Sequence, residues 1–331
     1  MDSGTHFVVG LGLAGMATVD PVVAADPKVF TAVLVGTALG SQAPDSDGLF
    51  RLKGNAAYIK NHRGLSHSLP ALFIWSFLIT GLLFLIFQNI PVLNVMFWVF
   101  LAVCVHVFSD LFNTYGTQAL RPLSDKWISW NIIHIFDPII FFSHVFALVL
   151  WAFQIVNASL LFPILYGCLV IYYIWRTLIH YFLQKNLFKK DATYQKGDSY
   201  ILIPTIRLSD WKIVKENTVG VHFQGELKKD HQIEWIDEVK CKSHPAIEAS
   251  KQNSDIAAFL YFSSEHACSD LRQHDWGYEI RWFDVRFRHR KQYPFVGVIL
   301  MNKEYKTIKS YVGWINDEKL EKRLGVNETG I

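Results

Sequence analysis

The chain has 331 residues, room for one membrane domain and one small soluble domain. Hydrophobic residues make up 51% and charged residues only 18%, below the roughly 25% of ordinary soluble domains. The net charge of +3 is too small to imply nucleic acid, none is expected as a partner, and no run of five or more basic residues occurs; Arg286 to Lys291 reads as a solvated strand end. Charge is sparse before Tyr181 and dense after Lys185, so two parts with different solvents are expected. These are a membrane domain over residues 1–186 and a strand-rich cytoplasmic domain over residues 187–331.

The opening Met1-Asp2-Ser3-Gly4-Thr5-His6 has no basic region, so the first apolar stretch is expected to stay in the mature protein. Six apolar segments follow. Residues 7–19 and 29–39 are short and rich in Gly and Ala, and read as a tight helical hairpin or a re-entrant pair. Residues 69–87, 92–112, 139–156 and 160–183 are long enough to span. Pro91 and Pro163 sit near helix starts, where a missing N–H does least harm.

With six segments, Arg51, Lys53, Lys60, Arg63, Arg121, Lys126, Lys185, Lys189 and Lys190 fall on one side of the bilayer. The other side receives only Lys28. The positive-inside rule places the richer side, and both termini, in the cytoplasm of a multi-pass cell-membrane protein.

The ionisable residues gather on that same side. His6 opens the first segment, and Pro44-Asp45-Ser46-Asp47 follows the second. His62-Arg63-Gly64-Leu65-Ser66-His67-Ser68 leads into the third, with Gly64 expected to bend the chain. His106 and Asp110 stand four apart near the end of the fourth and share a helix face. Asp137-Pro138 opens the fifth.

Burying such groups at a membrane boundary is costly unless they are paired or bind a cation. Imidazole with carboxylate suits Zn2+, Mn2+ or Fe2+. A bound ion would bring a coordinated water to a pKa of about 7. The candidate ligands are His6, Asp45, Asp47, His62, His67, His106, Asp110 and Asp137, with Asp47, Asp110 and Arg63 as candidate catalytic residues. Arg63 could hold an anionic group such as a phosphate, and Asn113, Thr114 and Gln118 could orient the ligands. Plainer roles stand beside these: Asp137 as a helix cap, the two Asp of 45–47 as a turn, Ser66 or Ser68 as a cap. His134 and His144 lack a spaced partner and are left outside.

Thr5-His6, Pro44-Asp45-x-Asp47, His62-Arg63-Gly64-x-Ser66-His67-Ser68, and His106-x-x-x-Asp110 followed by Asn113-Thr114-x-Gly116-Thr117 resemble the YdjM-like family of bacterial inner-membrane proteins. The length and strand-rich tail look most like its YfhP-type members. The resemblance covers about the first 145 residues and implies a membrane-embedded, metal-dependent hydrolase. It implies no substrate and says nothing of the tail.

After Lys190, residues 200–208, 219–227, 257–262, 280–287, 295–301 and 307–314 read as strands of an antiparallel sheet or small barrel. A phase slip within 280–287 suggests a bulge. The histidines here, His222, His231, His244, His266, His274 and His289, show no ligand spacing. Cys104, Cys168, Cys241 and Cys268 form no C-x-x-C pair, so a disulfide is not expected and the soluble part reads as facing a reducing compartment.

The leading expectation is therefore a metal-dependent hydrolase at the cytoplasmic membrane face, acting on a phosphate ester or lipid. An ion-coupled transporter and a non-enzymatic membrane regulator working through the tail are the alternatives.

Overall fold

A computed structural model describes residues 1–229, 232–288 and 292–325, so His231, His289 and the end of the 286–291 basic stretch lie outside the described residues. The chain divides into two compact units. The first comprises Met1–Asp47, Arg63–Asn186 and Leu202–Trp211; the second comprises Gly48–His62, Leu187–Ile201 and Lys212–Ile331.

The first unit is helical, and its helices begin where the sequence supplies a cap. Helix α1 (Ser3–Met16) is capped by Asp2, α2 (Pro21–Ala25) by Asp20 and α3 (Pro27–Gly40) by Asp26. In the last two an Asp accepts the second helical N–H while Pro occupies the first position, where no donor is needed. A 3-10 stretch, Ala43–Lys53, then carries Asp45 and Asp47 at its start. The short α4 (Asn55–Asn61) belongs to the second unit. A single 3-10 turn, Leu65–His67, leads into α5 (Leu69–Phe87) through the cap Ser68. Then come α6 (Val92–Leu111), α7 (Pro138–Ala152, capped by Asp137) and α8 (Ala158–Lys190).

Three of these, α5, α6 and α8, are long and apolar enough to cross a membrane. The other three expected segments form shorter apolar helices. Helix α7 stops at Ala152, short of the expected 156, where Gln154 takes a left-handed φ of 56°. Helix α8 outruns its expected end at 183, because Gln184 to Lys190 contains no Gly or Pro to stop it. Its Pro163 lies inside the helix rather than at the start. Leu85, Leu93, Phe77, Phe146 and Ile171 expose most of their side chains, the surface expected of helices that face lipid.

Helix α6 is the centre of this unit. Val95, Val99, Ala102, Val103, His106 and Asp110 recur at helical spacing and are all buried. Helix α3 packs against it closely, since a Cβ on Gly40 would stand 3.1 Å from the Val99 carbonyl oxygen. Helices α1 and α3 meet as closely at Gly10, where a Cβ would lie 2.9 Å from the Thr37 carbonyl oxygen.

The C-terminal region carries two four-stranded sheets. The first has the order β1 (Ser199–Pro204), β2 (Trp211–Glu216), β3 (Val221–Leu227), β4 (Ile233–Lys240). The second runs β5 (Ala267–His274), β6 (Gly277–Asp284), β7 (Phe295–Asn302), β8 (Thr307–Trp314), each antiparallel to the next. Between the sheets in sequence lie α9 (Pro245–Ser250) and α10 (Ser254–Ser263), and α11 (Asp317–Leu324) follows β8. Strand β7 is almost wholly buried, and α10 covers it with Phe259 stacked on Phe295. Helix α4 joins this unit through Asn55 Nδ2, which donates to the Val312 carbonyl at 2.9 Å.

Several expectations change here. Residues 257–262 are helical, inside α10, because Asn253 caps the segment and the buried Ile256, Phe259 and Phe262 repeat every three residues. Strands β2, β4 and β5 were not foreseen, since β4 and β5 are largely polar and weakly buried. Strand β6 pairs in unbroken register and ends at Asp284; the register shifts fall at Gln224/Gly225 and Leu300/Met301 instead. The absence of a disulfide is also overturned: Cys241 and Cys268 are joined, with Cα atoms 5.1 Å apart. The chain leaving β4 runs beside β5, held by Lys242 N–H on the Ser269 carbonyl and Ser269 Oγ on the Lys242 carbonyl, both 2.9 Å.

Candidate metal centre

Four side chains of the first unit point their ligand atoms at one place. Asp45 comes from the 3-10 stretch after α3, His67 from the turn before α5, and His106 and Asp110 from the last turns of α6. Their candidate donor atoms all lie within 4.8 Å of one another. His67 Nε2 is 3.3 Å from His106 Nε2, 3.5 Å from Asp110 Oδ2 and 3.6 Å from Asp45 Oδ1. His106 Nε2 is 3.7 Å from Asp45 Oδ1 and 3.8 Å from Asp110 Oδ2.

These spacings could accommodate a metal ion. Two ligand atoms about 2.1 Å from a metal, at the tetrahedral angle, stand about 3.4 Å apart. The nitrogen–oxygen separations in the cluster are too long for hydrogen bonds and close to that edge length. Asp45 Oδ1 and Asp110 Oδ2 are buried without a hydrogen-bond partner. A buried, unsatisfied carboxylate oxygen is costly, and a shared cation would satisfy both at once.

The surroundings fix the imidazoles. His106 Nδ1 lies 2.7 Å from the Ser41 carbonyl, which can only accept, so Nδ1 carries the proton and Nε2 presents its lone pair to the cluster. His67 Nδ1 is 2.9 Å from Ser66 Oγ, and Ser66 Oγ donates to Asp47 Oδ2 at 2.9 Å. His67 is fully buried; desolvation, opposed by the Asp45 and Asp47 carboxylates, brings its pKa down to about 4. It is therefore neutral at neutral pH, the form that ligates. Burial alone would raise Asp45, but the facing His106 and His67 outweigh it and hold the carboxyl well below the usual range.

The remaining expected site residues are placed as follows. Asp47 stands one step outward, accepting from Ser66 and from the Arg63 backbone N–H at 2.8 Å. His6 stacks on His106 with ring centroids 3.7 Å apart, and its Nε2 approaches Asp110 Oδ1 at 3.3 Å. That contact requires Nε2 to carry a proton, so His6 braces the carboxylate in this arrangement. Arg63 is buried, and its guanidinium donates to Asp110 Oδ1 (3.1 Å), Asn113 Oδ1 (3.1 Å) and the Gly116 and Met1 carbonyls. The Met1 amino group pairs with the same Asp110 oxygen. Arg63 itself, not Gly64, takes the left-handed turn, with φ 57°.

Asn113 Nδ2 donates to Asp110 Oδ1 at 3.2 Å, and the Gln118 backbone N–H binds the Arg63 carbonyl at 2.9 Å. Thr114 is buried beside them in the chain. Asp137 is not brought to the cluster: Oδ1 caps α7 at the Ile139 and Ile140 N–H groups and Oδ2 accepts the Tyr172 hydroxyl at 2.7 Å. His62 lies in the second unit at the end of α4, its ring tilted against Tyr58. Sequence reasoning did not find the Ser41 carbonyl, because a backbone acceptor leaves no residue-type signal.

A cavity of about 790 Å3 lies in the same unit. Its walls are nearly all apolar, among them Leu72, Val107, Phe112 and Leu169, and include Leu69 and Ser109, chain neighbours of the cluster.

A family model described as "YdjM inner membrane protein" matches residues 1–183, and one described as "YfhP C-terminal alpha/beta plait domain" matches residues 245–324. A relative from Bacillus subtilis (strain 168), described as "Uncharacterized protein YfhP", is 39% identical over 329 residues, covering 98% of both chains. No solved structure matches the chain.

Proposed function

We propose that this chain, which belongs to the YdjM inner membrane protein family, is a membrane-embedded metal-dependent hydrolase in which Asp45, His67, His106 and Asp110 hold a divalent cation. The carrying observation is the pair of buried, unpartnered carboxylate oxygens facing two imidazole Nε2 atoms at ligand–ligand spacing. All four residues fall inside the family-matched region.

Two imidazoles with two carboxylates favour Zn2+, with Mn2+ or Fe2+ as alternatives that metal analysis decides. Such an ion would supply Lewis acidity, which activates water near neutral pH. The chain's own groups set the geometry. Ser41 and Ser66 aim the two imidazoles. Arg63, Asn113 and His6 hold Asp110 by one oxygen and leave the other for the cation. Asp47, backed by Ser66 and with Oδ2 3.6 Å from His67 Nδ1, lies beside the four without joining them and is assigned the proton-accepting role. Arg63, engaged as it is, is assigned to positioning rather than to gripping a phosphate.

The apolar cavity favours an amphiphilic substrate, a phosphate ester or other ester carried on a lipid chain. In this reading the protein crosses the inner membrane several times with both termini in the cytoplasm, the side that receives its basic loops. The test is elemental analysis of detergent-purified protein alongside a screen of phosphoester and lipid-ester hydrolysis. Wild type carries metal, and His67→Ala and His106→Ala each lose both metal and turnover. Unchanged metal content in both variants would end the proposal.

A further inference from the structure

The second unit holds another constellation, independent of the one in the membrane domain. Cys241 follows β4, Cys268 is the second residue of β5 and His222 the second of β3. The ligand atoms of all three lie within 4.8 Å of one another. His222 presents Nδ1 to Cys241 Sγ at 3.9 Å and turns Nε2 toward Glu216 Oε2, also 3.9 Å away. His222 and Cys268 are buried, whereas Cys241 is exposed, so the group is closed on one side and open on the other.

A tetrahedral zinc with Zn–S of about 2.3 Å and Zn–N of about 2.05 Å sets sulfur and nitrogen about 3.6 Å apart and two sulfurs about 3.8 Å apart. The His222–Cys241 separation is already close to this, so only the two sulfurs have to part. At 3.9 Å Glu216 is too far to hydrogen-bond His222 Nε2, but it places a negative charge behind the ring, which favours cation binding at Nδ1. Two thiolates with an imidazole discriminate against Mg2+ and Mn2+ in favour of Zn2+, unlike the oxygen-rich cluster of the first unit.

We propose that reduction of the Cys241–Cys268 disulfide opens a Zn2+ site formed by the two thiolates and His222 Nδ1, with a fourth position left to water. An external dithiol or phosphine supplies the two electrons: the S–S bond breaks, two thiols form with two protons from solvent, and the reductant is oxidised. Zinc then displaces the two thiol protons. Joining the sulfurs again expels the ion, so the site is present in one redox state and absent in the other.

The experiment uses Co2+ as the probe, because thiolate-to-cobalt charge transfer absorbs in the near ultraviolet and a His/Asp cluster gives no such band. Full-length protein in detergent, on a Cys104→Ser/Cys168→Ser background, is titrated anaerobically with and without a phosphine reductant. The band is expected only after reduction, removable by Zn2+, lost in Cys241→Ser and weakened at least about tenfold in affinity by His222→Ala. Zinc should also slow alkylation of Cys241 in the reduced parent protein, a readout that needs no site variant. A reduced parent with no charge-transfer band, or a band undiminished in Cys241→Ser, overturns the proposal.

Discussion

Two serines two residues apart should answer quite differently to the same substitution. Ser66 Oγ bridges His67 Nδ1 and Asp47 Oδ2, at 2.9 Å each, so its loss frees the imidazole to rotate and strips Asp47 of a donor. Removing such a support costs about 10–100-fold in metal affinity, or about 1.4–2.7 kcal/mol. The backbone should stay in place, because the Ser66 carbonyl accepts from Trp75 Nε1 at 3.1 Å and Asp47 still holds the Arg63 N–H. Ser68 caps α5 instead, with Oγ 3.4 Å from the Ala71 N–H and donating to the Leu65 carbonyl at 2.7 Å. Ser68→Ala should cost about 0.5–2 kcal/mol of stability and little metal affinity. Chelator-competition titration measures the first quantity and thermal unfolding of the metal-free protein the second. If Ser66→Ala binds metal within twofold of wild type, or Ser68→Ala loses as much affinity as Ser66→Ala, the assigned support of His67 is wrong.

Two further perturbations follow from packing and charge. Gly10→Ala forces a methyl against Ser41 and the Thr37 carbonyl, costing about 1–3 kcal/mol and disturbing the Ser41 carbonyl that orients His106. Gly81→Ala meets nothing within 4 Å and should gain up to about 1 kcal/mol from helix propensity; equal melting shifts for the two would refute the close-approach argument. Burial works to raise the Asp191 pKa, but Lys215, Thr193 and Tyr200 bind its oxygens and bring it down to about 2 from 3.8. A depressed carboxyl stabilises the fold above its unfolded pKa, so roughly 2 kcal/mol should be lost as pH falls from 4 towards 2. Trp235 fluorescence reports it, since Nε1 lies 3.2 Å from Asp191 Oδ1, and Asp191→Asn should flatten the acid limb; an unchanged slope would contradict it.

How much of this was legible depends on what each signal rests on. Helix α5 falls where its apolar run predicts, residue for residue, because the run is bounded by Ser68 before it and Gln88-Asn89 after it, both with left-handed φ. The Asp-Pro helix starts are equally local. Strands β4 and β5 were hidden because pairing, not apolar alternation, holds them: β4 is mostly intermediate or exposed along its length. The run 257–262 reads as a strand only if the Asn253 cap and the three-residue repeat of Ile256, Phe259 and Phe262 are ignored. At the cluster, His and Asp at helix ends announce themselves as residue types. What aims them does not: a carbonyl at Ser41, a hydroxyl at Ser66, an arginine turned inward. The Cys241–Cys268 pair was missed because 27 residues and a helical insertion separate two thiols that meet only when the chain after β4 pairs with β5.

The placement of the cluster also explains why this corner of the fold is built as tightly as it is. Five chain segments converge there: α1 with His6, the end of α3 with Ser41, the 3-10 stretch with Asp45 and Asp47, the 63–67 turn, and the last turns of α6. They reach one another only because α1, α3 and α6 approach closely enough to need Gly10 and Gly40 at their contacts. Left to themselves, two imidazole nitrogens 3.3 Å apart and two unpartnered carboxylate oxygens would favour a looser arrangement, with water admitted or the side chains turned away. The fold instead holds them together from behind: Ser41 and Ser66 engage Nδ1 of His106 and His67, and Arg63 and Asn113 donate to Asp110 Oδ1. A geometry that supports the ligands from behind and leaves two inward carboxylate oxygens unpartnered would be stabilised by a cation between them, as the proposed function requires.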